Sequence, residues 1–179
     1  MTRLGTSPLA AGPLPGDVGG PRSQMEECER VENYLHEYLD DGRFISRYPR
    51  AYERWSRAWA MLWRADSRAG LIAVAAEARA AMREFACALV AWREPHASLP
   101  DATDTLLRLW SLVEMCRPQL EEERCGLQRA LFEYWDALCS AVQRQEDPAH
   151  IAYGPLRWED ARRVVVLTAL VMVEIDRCL

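Results

Sequence analysis

Residues 68–93 read RAGLIAVAAEARAAMREFACALVAWR. Leu71, Ala75, Ala78, Met82, Phe85, Leu89 and Trp92 recur in this stretch at alternating steps of four and three. A side chain returns to the same face of an α-helix every three or four residues, so this spacing predicts one long helix with a heptad seam. Asp66-Ser67 precede it and Pro95 follows it. Small Ala residues in its first half would permit close helix approach. A bundle helix is the expected setting, with a dimer seam as the alternative.

The neighbouring segments read as partners for this helix. Ser23 to Glu26 has the spacing of a capping box and opens a helix running to about Leu39. Met25, Cys28, Leu35 and Leu39 lie on its apolar side, and Gly42 is expected to end it. Pro49 is suited to a helical first turn and starts the next helix. A short helix is expected after Asp101 to Asp104, and Pro118 begins another that runs to about Gln145. The latter carries Leu127, Leu131, Tyr134, Leu138 and Val142 as its seam, with Phe132, Trp135 and Cys139 widening the apolar side. Gly126 is expected to kink or break it. The last helix spans about Arg157 to Arg177. Its middle, Val164 to Val173, is apolar all round, as in a helix enclosed by neighbours. Its flanks place Glu159 and Asp160 early and Arg177 late, which favours a helix over a strand.

The expected fold is therefore all-α, a single bundle of about six helices over residues 23–179, with the helices at 68–93, 118–145 and 157–177 forming the core. Residues 1–22 hold five of the nine Gly and four of the ten Pro, with no aromatic residue. They read as a flexible, disordered tail that could dock in places through Leu4, Leu9 or Leu14.

Composition narrows the chemistry. All 22 basic residues among the 179 are Arg, which excludes a Schiff-base or P-loop lysine. The net charge of -5 argues against a general polyanion binder. Six Cys (28, 87, 116, 125, 139 and 178) have no C-x-x-C spacing, so neither a zinc knot nor a redox pair is expected. Without an apolar segment of signal-peptide type before them, they read as reduced thiols of a cytoplasmic protein. The apolar run in the last helix is about half a membrane span. Asn33, Arg93 and Asp147 stand three residues before His36, His96 and His150, so no Glu-x-x-His metal motif is present and no metal or cofactor is expected.

Two patterns remain. Residues 43–68 carry seven Arg against Glu53 and Asp66. Arg50, Arg54, Arg57 and Arg64 fall on one side of the helix after Pro49, opposite a stripe of Tyr52, Trp55, Trp59 and Trp63. This Arg face can be a solvated surface, a dock for an acidic partner protein, or a phosphate contact for nucleic acid. The other pattern is an Arg six residues before a His, as in Arg30…His36 and Arg144…His150.

That spacing, Ala80-Ala81-Met82-Arg83-Glu84-Phe85-Ala86, and Trp158 to Val165 together resemble HEPN-like helical bundles of bacterial defence and toxin systems. The resemblance implies a helical bundle, commonly dimeric. In its catalytic members an Arg and a His act on an RNA phosphodiester without a metal. It would assign Arg144 and His150 to that role, and Arg30 and His36 as a second choice. The leading functional expectation is nonetheless a non-enzymatic interaction module, an accessory subunit of a larger bacterial assembly with a protein partner. A HEPN-like ribonuclease, with a homodimer, is the alternative. A regulator that binds nucleic acid through the Arg face is the third.

Overall fold

The computed structural model describes residues 21–93, 107, 109, 111, 122–145 and 156–178. Six helices lie within them: α1 Pro21–Leu39, α2 Gly42–Arg47, α3 Pro49–Leu62, α4 Arg68–Arg93, α5 Glu122–Arg144 and α6 Trp158–Asp176. The described residues contain no strand, and the protein is an all-α bundle. Residues 107, 109 and 111 are helical, and Leu109 is buried. The remainder of the helix expected after Asp104 lies outside the described residues, as do residues 1–20 of the expected tail.

α6 is the axis of the bundle. Ala161, Val164, Val165, Ala169, Val171, Met172, Val173 and Ile175 are all buried, over more than half of the helix circumference, and Val166, Leu167 and Leu170 on the remaining side are half-buried. α1, α3, α4 and α5 all pack against it. Burying a β-branched run in a helix is favourable because most helical stability in a protein comes from packing rather than intrinsic propensity. Tryptophan indoles tie the run in place. Trp55 of α3 donates to the Val165 carbonyl at 3.2 Å, and Trp135 of α5 donates to Thr168 Oγ1 at 2.9 Å. Thr168 in turn donates to the Val164 carbonyl at 2.7 Å. Trp158 donates to the Leu62 carbonyl at 3.0 Å, a closer partner for this helix-end acceptor than the Ala65 N–H at 3.4 Å.

α4 follows the expected seam from Leu71 to Leu89, all of it buried. Val74, Ala81, Ala86 and Val90 widen the buried face. Trp92 leaves it and lies beneath the Arg47 guanidinium, 5.7 Å from the ring centroid. Ala51 and Ala58 of α3 meet an α4 face rich in small residues, and this pair is the most extensive helix contact. α3 therefore belongs to the core alongside α4, α5 and α6, contrary to the expectation of a three-helix core.

Three local expectations are corrected. Gly42 does not cap α1; it is the first residue of α2. Asp41 is the N-cap, its carboxylate accepting from the Arg43 N–H at 2.7 Å. The seam of α5 is rotated by one residue. Gln128, Phe132, Trp135, Cys139 and Val142 are buried, while Leu127 and Tyr134 are exposed. Gln128 belongs to the buried set because its amide donates to Cys178 Sγ at 3.0 Å. Finally, α5 runs through Gly126 without interruption. A Cβ added there meets nothing within 4 Å. Gly126→Ala should therefore stabilise the protein by about 0.5–1 kcal/mol in urea unfolding, by relieving the conformational-entropy cost of glycine in a helix. A loss of stability would mean that the helix needs the break.

Candidate functional site

The Arg face is largely consumed in ties within the molecule. Arg54 reaches both oxygens of Glu77 on α4 at 3.1 Å, and Arg57 lies 2.8 Å from Glu53 and 3.9 Å from Glu77. Arg43 sits 3.7 Å from Asp41, and Arg68 donates to the Gln145 carbonyl. Arg50 and Arg64 are exposed and make no ion pair among the described residues. The face thus clamps α3 to α4 and leaves two cations open rather than four.

Arg162 pairs with Glu32 of α1 at 2.6 Å, and its guanidinium lies over Trp158. Arg79 reaches α5, donating to Gln143 Oε1 at 3.1 Å.

Of the Arg and His candidates, Arg30 and His36 are not brought together. Arg30 is exposed and donates to the Glu26 carbonyl of its own helix. A separation of six residues puts His36 about 240° further round α1. The His36 ring is wedged against Trp55 and Trp59, with centroids 4.8 and 4.4 Å away. Its Nε2 is buried and unpartnered. Arg144 is exposed at the end of α5, and His150 lies outside the described residues.

The most developed polar cluster was not foreseen. Asp176, at the end of α6, has a side chain only 7% exposed. One carboxylate oxygen accepts from Arg47 at 2.6 Å and from the Tyr48 hydroxyl at 2.9 Å; the other accepts from the Tyr38 hydroxyl at 2.8 Å. A cavity of about 220 Å³ adjoins it, lined also by Asp41, Arg43 and Phe44. Burial, reinforced by the neighbouring carboxylate, raises the pKa of both tyrosines above the usual phenol range. The hydrogen bond to Asp176 holds Arg47 more firmly in its charged form. These groups lock the end of α6 to α1, α2 and the start of α3.

Of the cysteines, Cys28 is exposed, Cys87 and Cys178 are half-buried, and Cys139 is buried; none of the four is in a disulfide. Burial pushes the Cys139 thiol up to about 12, so it remains protonated and inert. No group of three metal-ligating side chains occurs among the described residues. Nor is any helix among them long and apolar enough to cross a membrane.

Among the described residues, apolar surface stays open on α1 at Val31 and Tyr34, and more extensively in two places. On α5, Leu127 is 64% exposed and Tyr134 is 53% exposed, with half-buried Leu131 and Leu138 in the same row. Gly126, Ala130, Ala137 and Ala141 are exposed beside that row. At the end of α3, Trp63 is 60% exposed and packs on Trp158, with centroids 5.3 Å apart. No family model, curated protein or solved structure matches the chain.

Proposed function

We propose that this chain is a non-enzymatic helical interaction module, an accessory subunit that holds a protein partner. The observation that supports this reading is the double seam of α5. One heptad row faces the core, and a second row, Leu127, Leu131, Tyr134 and Leu138, borders solvent one residue away. A helix with two adjacent apolar rows can pack on two neighbours at once. Exposed Ala130 and Ala137 flank the open row and would let another backbone come close. The partner element that fits is an amphipathic helix with an apolar stripe, laid along α5. The resemblance to HEPN-like bundles suggests a bacterial defence assembly as the setting. Free thiols fit a reducing compartment, the cytoplasm.

The test is affinity capture of the tagged full-length chain from its native cells. Leu127→Glu with Tyr134→Glu should lose a partner that the parent chain retains. Arg50→Glu with Arg64→Glu should keep it. Loss in the Arg variant alone would move the docking site to α3. RNA cleavage by the purified chain that His36→Ala or His150→Ala abolishes would replace this reading with the ribonuclease.

A further inference from the structure

Trp63 is the outer end of an aromatic ladder that begins in the core. Trp55 and Trp59 are 6.1 Å apart between centroids, Trp59 and Trp63 5.8 Å, and Trp63 and Trp158 5.3 Å. The last two ring planes are inclined at 54° and form an open aromatic angle. The Trp158 N–H is engaged by the Leu62 carbonyl, whereas the Trp63 N–H donates to nothing among the described residues. An exposed aromatic angle with a free indole N–H suits a polyproline II segment. Such a segment has no internal hydrogen bonds, so its carbonyls are available as acceptors, and its proline rings pack on flat aromatic faces.

The sequence itself carries such a segment, and the start of α1 sets how far it can reach. Tyr52 of α3 donates to Asp40 at 2.8 Å, and His36 rests against Trp55 and Trp59. α1 therefore runs antiparallel to α3. One turn before His36, Glu32 holds Arg162, whose guanidinium lies over Trp158. Both observations set residues near 30 level with Trp63. α1 starts at Pro21, and at about 1.5 Å per residue its beginning stands roughly 14 Å beyond that level. Residues 26–31 are exposed along this overhang. Immediately before α1 come Gly16-Asp17-Val18-Gly19-Gly20, and before them Pro13-Leu14-Pro15. Five extended residues at about 3.1 Å each cover roughly the same 14–16 Å in the return direction. Gly19 and Gly20 provide the freedom for the reversal. On such a path Asp17, the only acid in residues 1–20, would come within reach of Arg64, which has no ion pair among the described residues.

We propose that the Trp63–Trp158 surface is the docking site for this chain's own Pro13-Leu14-Pro15. The segment folds back along the overhang of α1, lays its prolines on the two indoles and offers a carbonyl to the Trp63 N–H. The surface is then occupied in cis, distinct from the open row of α5.

Fluorine NMR of the full-length chain labelled with fluorotryptophan tests this, with the Trp63 signal assigned through Trp63→Phe. In a chain carrying Pro13→Ala, Leu14→Asp and Pro15→Ala, the Trp63 and Trp158 signals should shift while those of buried Trp55 and Trp135 stay. The substituted residues precede the first helix in the sequence, so the variant should fold. A Trp63 signal in the same place in both chains would overturn the proposal. A Trp63 signal that moves with protein concentration would also overturn it, because the occupant would then be the tail of a second copy.

Discussion

Trp55→Ala should cost about 3–5 kcal/mol of folding free energy, the range for truncating a large buried aromatic. Trp55 is 2% exposed, at the meeting of α1, α3 and α6. Its removal opens a cavity beside the Ala-rich α3–α4 contact, where small side chains have little volume to move into the space. It also takes away the donor to the Val165 carbonyl and one of the two rings that hold His36. Domains of this kind are stable by about 5–15 kcal/mol, so the variant should unfold at a much lower urea concentration or fail to fold at all. Trp55→Phe keeps most of the volume and loses the hydrogen bond, and should fall in between. Trp63→Ala, eight residues along the same stripe, should cost less than about 1 kcal/mol because the helices leave most of the side chain uncovered. Equal losses at Trp55 and Trp63 would contradict the gradient of burial along α3.

That gradient marks the limit of what periodicity reveals. The sequence shows a Trp stripe opposite an Arg stripe, and both exist. It does not show that the buried row of α3 is Ala51, Trp55, Ala58 and Leu62, inclined to the Trp row so that Trp63 emerges. Periodicity gives the angle around a helix but not the crossing angle with its neighbours. α5 has the same ambiguity in sharper form. Two heptad rows lie one residue apart, and hydropathy favours the row containing Leu127 and Tyr134. The buried row contains Gln128, made acceptable by a cysteine fifty positions away. α4 and α6 were legible because their apolar residues surround most of the helix, which leaves little phase to misjudge. α2 was not, since six residues are too few for a period and Asp41-Gly42 reads equally well as a stop or a start. The ion pairs were hidden for another reason. Arg54 with Glu77, Arg162 with Glu32 and Arg47 with Asp176 each join different helices, and composition shows only an excess of Arg.

The Asp176 cluster carries the second large expectation. Asp176→Ala should destabilise the protein by about 2–4 kcal/mol. Removing one partner of a buried ion pair costs about 3–5 kcal/mol, and the half-exposed Arg47, which water can resolvate, lowers that figure. Much of the loss comes from the buried Tyr48 hydroxyl, which has no other hydrogen-bond acceptor among the described residues. Asp176→Asn keeps one carbonyl acceptor and should lose less. The tyrosines give the cluster a pH signature. In the unfolded chain they titrate near pH 10, whereas in the folded protein their pKa is raised by burial and by the carboxylate. Their contribution is complete below about pH 10 and falls as pH rises further, because the unfolded state then releases protons that the folded state retains. The decline is at most about 1.4 kcal/mol per pH unit for each tyrosine. Urea midpoints measured between pH 8 and 11 should therefore fall steeply at the upper end. Tyr48→Phe should begin lower and decline less, since of this cluster only Tyr38 then remains to titrate, beside Tyr52, whose bond to Asp40 also raises its pKa in both chains. If Tyr48→Phe declines as steeply as the parent chain, the alkaline sensitivity does not originate in this cluster. Asp176 would then act through Arg47 alone, as a tie between α2 and the end of α6.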